Sequence, residues 1–138
     1  MFKSIKSLFG QKQPTQFHHP EFGVLTNDGG IWSGETQIGG RRIQFHISGS
    51  DTAPDLELIN SAHSVTSKFT ELERRALDFI CSEEAGVKAE DFTIYSLDWL
   101  WEDKPDDFVF EFEMKGDIDG IWRVEFEKGL PTSLGRDD

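Results

Sequence analysis

The sequence has little cysteine and no long apolar run, and each shortage excludes a class of protein. With 1 cysteine in 138 residues, Cys81, the chain can form neither an internal disulfide nor a multi-cysteine metal site. No apolar stretch reaches the roughly 18 residues that a transmembrane helix needs. The first ten residues also lack the continuous apolar segment of a secretion signal. We therefore expect a cytoplasmic protein.

Catalytic and metal-binding motifs are also missing. The chain contains no G-x-S-x-G, no lysine-containing phosphate loop and no G-x-G-x-x-G. Its four histidines, at positions 18, 19, 46 and 63, do not have the spacing of a zinc motif. The segment from Asp117 to Gly120 resembles a calcium loop only in part, because Lys115 and Phe126 occupy two ligand positions. These absences predict no metal and no cofactor, and they favour a protein that is not an enzyme.

Positive charge is scarce. The chain has 14 Lys and Arg against 26 Asp and Glu, a formal net charge of −12. Residues 51–138 alone carry a net charge of −14. A field of this sign repels phosphate backbones, so we expect no binding of nucleic acid. It favours either simple solubility or a basic protein partner.

Apolar periodicity divides the chain into two parts. Residues 1–16 form an N-terminal amphipathic segment and linker, with Phe2, Ile5, Leu8 and Phe9 at helical spacing. This segment is either a membrane-surface or partner anchor or a short piece that docks on its own domain. Residues 17–138 are predicted to form a single domain.

Alternating apolar residues predict strands in six places: residues 22–26, 31–35, 41–48, 92–101, 108–114 and 122–127. Between them, apolar residues spaced by three and four indicate a helix over residues 54–84, either bent or broken into two. We therefore predict an α+β fold with an antiparallel sheet of about six strands, arranged as two three-strand meanders. One long or broken central helix would pack on one face of the sheet. The 12 phenylalanines and 4 tryptophans of the sequence predict an aromatic core.

The last two predicted strands have one apolar and one acidic face. If their aromatic rings face the helix, Glu111, Glu113, Glu125 and Glu127 lie on the outside, with Arg123 among them as a cross-strand partner. Such a row is an ordinary solvated face, a surface for a basic protein, or a pair of catalytic carboxylates. The sequence favours the first two interpretations.

Two tryptophans precede an acidic loop over residues 102–107. Trp99 and Trp101 belong either to the core or to a groove, and an aromatic ring flanked by carboxylates suits a cationic partner. The predicted partner-binding residues combine this loop with the acidic strand face. They are Trp99, Trp101, Glu102, Asp103, Asp106, Asp107, Glu111, Glu113, Glu125 and Glu127.

The turn and core positions also carry a resemblance. Gly30-Ile31-Trp32-Ser33-Gly34, a central helix, and then Gly120-Ile121-Trp122-Arg123-Val124 resemble bacterial small-domain families of unknown function. These are similar to some acidic immunity proteins that accompany polymorphic toxins. The resemblance covers about residues 17–138 and implies a small cytoplasmic domain, without implying any site residue.

Three functions follow as hypotheses. The first is a non-enzymatic protein-interaction domain, immunity-like, that binds a basic partner through its acidic C-terminal surface. The second is a small hydrolase or ligand-binding domain, with His46 or His63 and a carboxylate in a pocket between helix and sheet. A third, membrane-peripheral function would act through residues 1–10.

Overall fold

The structure is a computed structural model, and it describes residues 15–137. The predicted amphipathic segment at residues 1–10 lies outside this range. Neither helix in the described part of the chain is long and apolar enough to cross a membrane.

Eight strands form one sheet in chain order. The strands are β1 Gln16–His19, β2 Gly23–Asp28, β3 Ile31–Ile38, β4 Arg41–Ser48, β5 Phe92–Trp99, β6 Phe108–Met114, β7 Asp117–Glu127 and β8 Leu130–Asp137. Two helices, α1 Leu56–Ser67 and α2 Phe69–Glu83, lie between β4 and β5, and a short 3₁₀ turn at Ala89–Asp91 precedes β5. Neighbouring strands are antiparallel except β4 and β5, which are parallel.

The prediction of a six-stranded antiparallel sheet with one long or broken helix is therefore wrong. The sheet has eight strands and is mixed, and the helical region forms two helices. The two missed strands, β1 and β8, are at the edges of the sheet. β8 contains Pro131 and Gly135, and β1 contains two histidines. Edge strands tolerate such residues because backbone pairing with one neighbour, rather than a buried side-chain face, holds them in place.

The parallel pairing follows from the two helices. A direct turn after β4 would have produced an antiparallel neighbour, whereas a helical connection returns the chain to the end of the sheet where β4 began. The chain separates α1 from α2 at Lys68, whose backbone is not helical (φ −121°, ψ 21°). α1 is capped by Asp55, which accepts hydrogen bonds from the amides of Glu57 and Leu58. Thr52 lies in the preceding loop.

The aromatic core is confirmed. Trp32, Trp99, Trp122 and several phenylalanines are completely buried. Phe108 stacks on Phe126 with ring centroids 4.7 Å apart. Leu58, Val65 and Leu72 cover these rings from the helices. The opposite side of the sheet, called here the outer face, carries the strand residues that alternate with the core residues.

Candidate functional site

A small acidic cleft lies where the β5–β6 loop meets the end of β7. Its volume is about 140 Å³, and its lining residues are Trp101, Lys104, Asp107, Glu125, Phe126 and Glu127. We call it the Trp101 cleft. Three carboxylates and one ammonium group surround an indole ring that is 36% exposed. The cleft therefore combines an aromatic surface with net negative charge.

Consecutive turns fix the loop that presents Trp101. The amide of Lys104 donates to the carbonyl of Trp101, and the amide of Asp107 donates to the carbonyl of Lys104, both at 3.0 Å. The Asp107 carboxylate in turn accepts the amide of Lys128 at 3.4 Å, which connects the loop to the β7–β8 turn. The proline and acidic residues of this loop favour such turns. Trp101 is thus held at the surface by backbone hydrogen bonds.

The other tryptophan of the predicted set lies elsewhere. Trp99 is completely buried and donates its indole N–H to the Ser61 hydroxyl at 3.0 Å. It belongs to the core between sheet and helices, so it is not a surface residue. Within the acidic loop, Glu102 accepts a hydrogen bond from Ser48 at 2.8 Å, and Asp103 is exposed. Asp106 lines a different cleft, next to the helices.

The four strand glutamates do not form one cluster. Glu125 and Glu127 line the Trp101 cleft. Glu113 is exposed at the opposite end of β6, in a second acidic cleft together with Glu90. Glu111 lies between them and pairs with Arg123 at 3.3 Å, which confirms the predicted cross-strand partner. The structure therefore brings together Trp101, Asp107, Glu125 and Glu127, and it separates the rest.

A β-bulge interrupts the alternation of the strand that contains Trp99. Strict alternation would place Tyr95 on the same face as Leu97 and Trp99. The register of β5 against β6 shifts between Ile94 and Ser96, so Tyr95 is exposed while Leu97 and Trp99 face the core. The residues between them, Ser96 and Asp98, point to the outer face.

Ser96 and Asp98 form a buried polar network with β4. His46 Nδ1 lies 2.7 Å from Asp98 Oδ1 and 3.0 Å from Ser96 Oγ, and Ser96 Oγ donates to the same Asp98 oxygen at 2.8 Å. Ser96 is fully buried and Asp98 is only 5% exposed. No sequence pattern identifies Asp98 as the partner of His46, because these two residues are 52 positions apart and meet only through the parallel pairing.

Proximity changes the acidity of these groups. Burial, together with the hydrogen bond and negative charge of Asp98, raises the pKa of Glu111 to about 7. The hydrogen bond to Asp98 raises the pKa of His46 above its ordinary value. Burial acts to raise the pKa of Asp98, but hydrogen bonds with His46, Glu111 and Ser96 outweigh it, and the pKa is lowered. Asp98 is therefore the carboxylate that stays ionised, and Glu111 is the one that takes up a proton first as pH falls.

The network does not have the geometry of a serine nucleophile. In a Ser–His–Asp relay the serine and the aspartate bond to opposite nitrogens of the ring. Here Ser96 and Asp98 both contact Nδ1 of His46. The arrangement satisfies a buried carboxylate and leaves Nε2 without a hydroxyl to activate.

The second candidate histidine is a surface residue. His63 on α1 contacts Glu21, which also accepts a hydrogen bond from Thr66 at 2.8 Å. His46, by contrast, lies on the outer face, away from the helices. Neither histidine lies in the pocket between helix and sheet that the hydrolase hypothesis assumed. Among residues 15–137, no group of three or more His, Cys, Asp and Glu side chains could hold a metal ion.

Comparison of the chain with protein-family models, curated proteins and solved structures found no match.

Proposed function

We propose that this chain is a non-enzymatic protein-interaction domain, immunity-like, that binds a basic protein partner in the bacterial cytoplasm. The Trp101 cleft is the contact site. One observation carries this proposal: an indole that is 36% exposed shares its cleft with Asp107, Glu125 and Glu127. Trp32, Trp99 and Trp122 are buried in the core, so Trp101 is the tryptophan that a partner can contact, and carboxylates surround it.

The size and chemistry of the cleft suit one cationic side chain. At about 140 Å³ it is smaller than the roughly 300–1,000 Å³ typical of small-molecule pockets. A guanidinium or ammonium group can lie on the indole face while the carboxylates accept its N–H groups. Such a contact at an interface centre is typical of a binding hot spot, where tryptophan and arginine are enriched.

The charge of the whole chain supports the same partner. A net charge of −12 accelerates the approach of a basic protein and opposes the approach of nucleic acid. Because this attraction acts over long distances, it is screened by salt. Binding should therefore weaken as ionic strength rises, mainly through a slower association rate.

Calorimetric titration with a short arginine-rich peptide tests the proposal, with a glutamine-for-arginine peptide as comparison. We expect the arginine-rich peptide to bind and the glutamine-for-arginine peptide not to bind. Trp101→Ala should weaken binding about tenfold, as should the double change Glu125→Gln with Glu127→Gln. Lys104→Gln removes the opposing charge of the cleft and should strengthen binding.

Glu83→Gln is the matched control, because it removes an exposed carboxylate at the end of α2, outside the cleft. Its affinity should stay within about twofold of the unchanged protein. Equal binding of the basic and neutral peptides would rule out the Trp101 cleft as a cation site. So would an unchanged affinity of Trp101→Ala.

The His46–Asp98–Glu111 contact favours a second candidate, a small hydrolase, because the pKa values of His46 and Glu111 are both raised and perturbed pKa values are common in catalytic sites. His46 would then act as a general base through Nε2. Hydrolysis of simple esters that rises with pH and disappears in His46→Gln would support it. A rate equal to that of buffer alone would remove it.

A further inference from the structure

A cleft larger than the Trp101 cleft lies on the helix side of the sheet. It has a volume of about 460 Å³ between the α1–α2 junction and the β7–β8 turn. Three of its lining side chains are cationic: Lys68, Arg75 and Lys128. In a chain with 14 basic and 26 acidic residues, this is a local reversal of charge. We call it the Lys128 cleft.

Arg75 is held in position by two neighbours. Its Nη2 bonds to Glu71 one turn earlier on α2, and its Nη1 donates to the carbonyl of Gly129 at 3.1 Å. The Glu71 carboxylate that lines the cleft is therefore already paired. The guanidinium lies against the β7–β8 turn and keeps further N–H groups for a ligand.

The two lysines have no such partner. Within residues 15–137, neither Lys68 nor Lys128 has a carboxylate within 4.0 Å of its ammonium group. Lys128 also occupies an unfavourable backbone conformation, with φ of 53° followed by φ of 83° at Gly129. A two-residue hairpin turn of this type favours Asn or Asp at its first position, and a lysine there costs about 1 kcal/mol. A strained residue at a cleft is a reason to look for a ligand.

Hydroxyl donors complete the lining. Ser61 accepts the indole N–H of Trp99, so its own hydroxyl hydrogen is available to another acceptor. Ser64 is exposed on the next turn of α1 and lines the same cleft. Asp106 is the one remaining carboxylate of the lining, and its charge opposes an anion, but three cations line the same cleft. A tetrahedral oxyanion with several acceptor oxygens uses all of these donors, whereas a carboxylate would use only two or three.

We propose that the Lys128 cleft binds the phosphate group of a small phosphate monoester. Lys68, Lys128 and the oriented guanidinium of Arg75 neutralise the phosphate, and Ser61 and Ser64 donate to it. The volume of the cleft, within the roughly 300–1,000 Å³ of small-ligand sites, leaves room for an organic group on the ester oxygen.

Nuclear magnetic resonance provides a direct test. The ¹⁵N-labelled protein is titrated separately with phenyl phosphate, with inorganic phosphate and with sodium chloride, and the three titrations are compared at equal ionic strength. We expect the Trp99 indole N–H and the Gly129 amide to shift with the two phosphates, since both groups adjoin the cleft. Phenyl phosphate should bind more tightly than inorganic phosphate if the organic group is accommodated.

The key variant is Lys128→Asn, because asparagine suits a positive φ and keeps the turn while it removes the ammonium group. It should weaken phosphate binding about tenfold, the equivalent of one charge-assisted hydrogen bond, with a melting temperature that is unchanged or higher. Lys68→Gln should weaken binding similarly. Lys88→Gln, at an exposed lysine outside the cleft, is the control and should bind as the unchanged protein does.

Three results would overturn the site. The first is the absence of a shift at Trp99 and Gly129 with either phosphate. The second is an equal shift with chloride, and the third is an equal loss of affinity in Lys88→Gln and Lys128→Asn. Binding of inorganic phosphate without tighter binding of phenyl phosphate would overturn the monoester assignment.

Discussion

Replacing Glu111 with glutamine should change how the stability of this protein depends on pH. In the folded protein the Glu111 carboxyl lies beside Asp98, which raises its pKa from 4.5 to about 7. In the unfolded chain Glu111 releases this proton near its ordinary pKa of 4.5. Between these two values the folded state binds more protons, so the free energy of unfolding falls as pH rises. Glutamine keeps the shape of the side chain and removes the ionisation.

The structure sets the size of the effect. A rise in the pKa of Glu111 from 4.5 to about 7 corresponds to about 3 kcal/mol. The side chain of Glu111 is 17% exposed and pairs with Arg123, and solvent screening reduces this upper limit. As pH rises from 5 to 8, the free energy of unfolding of Glu111→Gln should increase by about 1–2 kcal/mol relative to that of the unchanged protein.

His46 and Asp98 determine the rest of the profile. Because the folded pKa of His46 is raised, its contribution is fully present below its ordinary pKa of 6.5 and is lost as pH rises through the folded value. The lowered pKa of Asp98 acts in the opposite sense, since its contribution is present above its ordinary pKa of 3.8 and is lost as pH falls through the folded value. The unchanged protein should therefore be most stable in mildly acidic solution.

Urea denaturation followed by circular dichroism, at pH 5 to 8 in steps of one unit, measures these changes. Glu113→Gln is the matched control, because Glu113 is an exposed glutamate two residues along the same strand. This control keeps Glu111, so its free energy of unfolding should still fall as pH rises. If the free energy of unfolding of Glu111→Gln changes with pH in the same way as that of the unchanged protein does, then Glu111 and Asp98 do not share a proton.

The two tryptophans should differ sharply in stability: Trp99→Ala should cost about 3–5 kcal/mol, and Trp101→Ala less than about 1 kcal/mol. Thermal unfolding of both variants checks this, and similar losses would contradict the assignment of Trp99 to the core and Trp101 to the surface. Asp55→Ala removes two hydrogen bonds from the start of α1 and should lower stability by about 1 kcal/mol. Thr52→Ala is the comparison, because Thr52 lies in the loop before Asp55 and should contribute little to the start of α1.

Periodicity predicted the parts of the fold where burial dictates the pattern. The six inner strands and the helical region have faces that must be apolar, so their positions could be found from the sequence. β1 and β8 have no such face over most of their length. The parallel pairing of β4 with β5 could not be inferred either, because it depends on the path that the two helices take across the sheet.

The candidate site also has a part that could be predicted from the sequence and a part that could not. Trp101 and its acidic neighbours could be proposed because they are close together in the sequence or on one strand. The contact of His46 with Asp98 depends on pairing between distant strands, and the bulge at Tyr95 determines which face Asp98 occupies. A bulge adds one residue to a strand and reverses the alternation after it, and no composition signal marks this one.

The parallel pairing also has a consequence for folding. In every other pair, a short segment connects the two strands. The strands β1–β4 and the strands β5–β8 can therefore each pair through contacts that are local in sequence. The β4–β5 pair must instead close a loop of about fifty residues, which carries a larger entropic cost. We expect joining of the two halves to limit the folding rate, with the His46–Asp98 contact completed at that step.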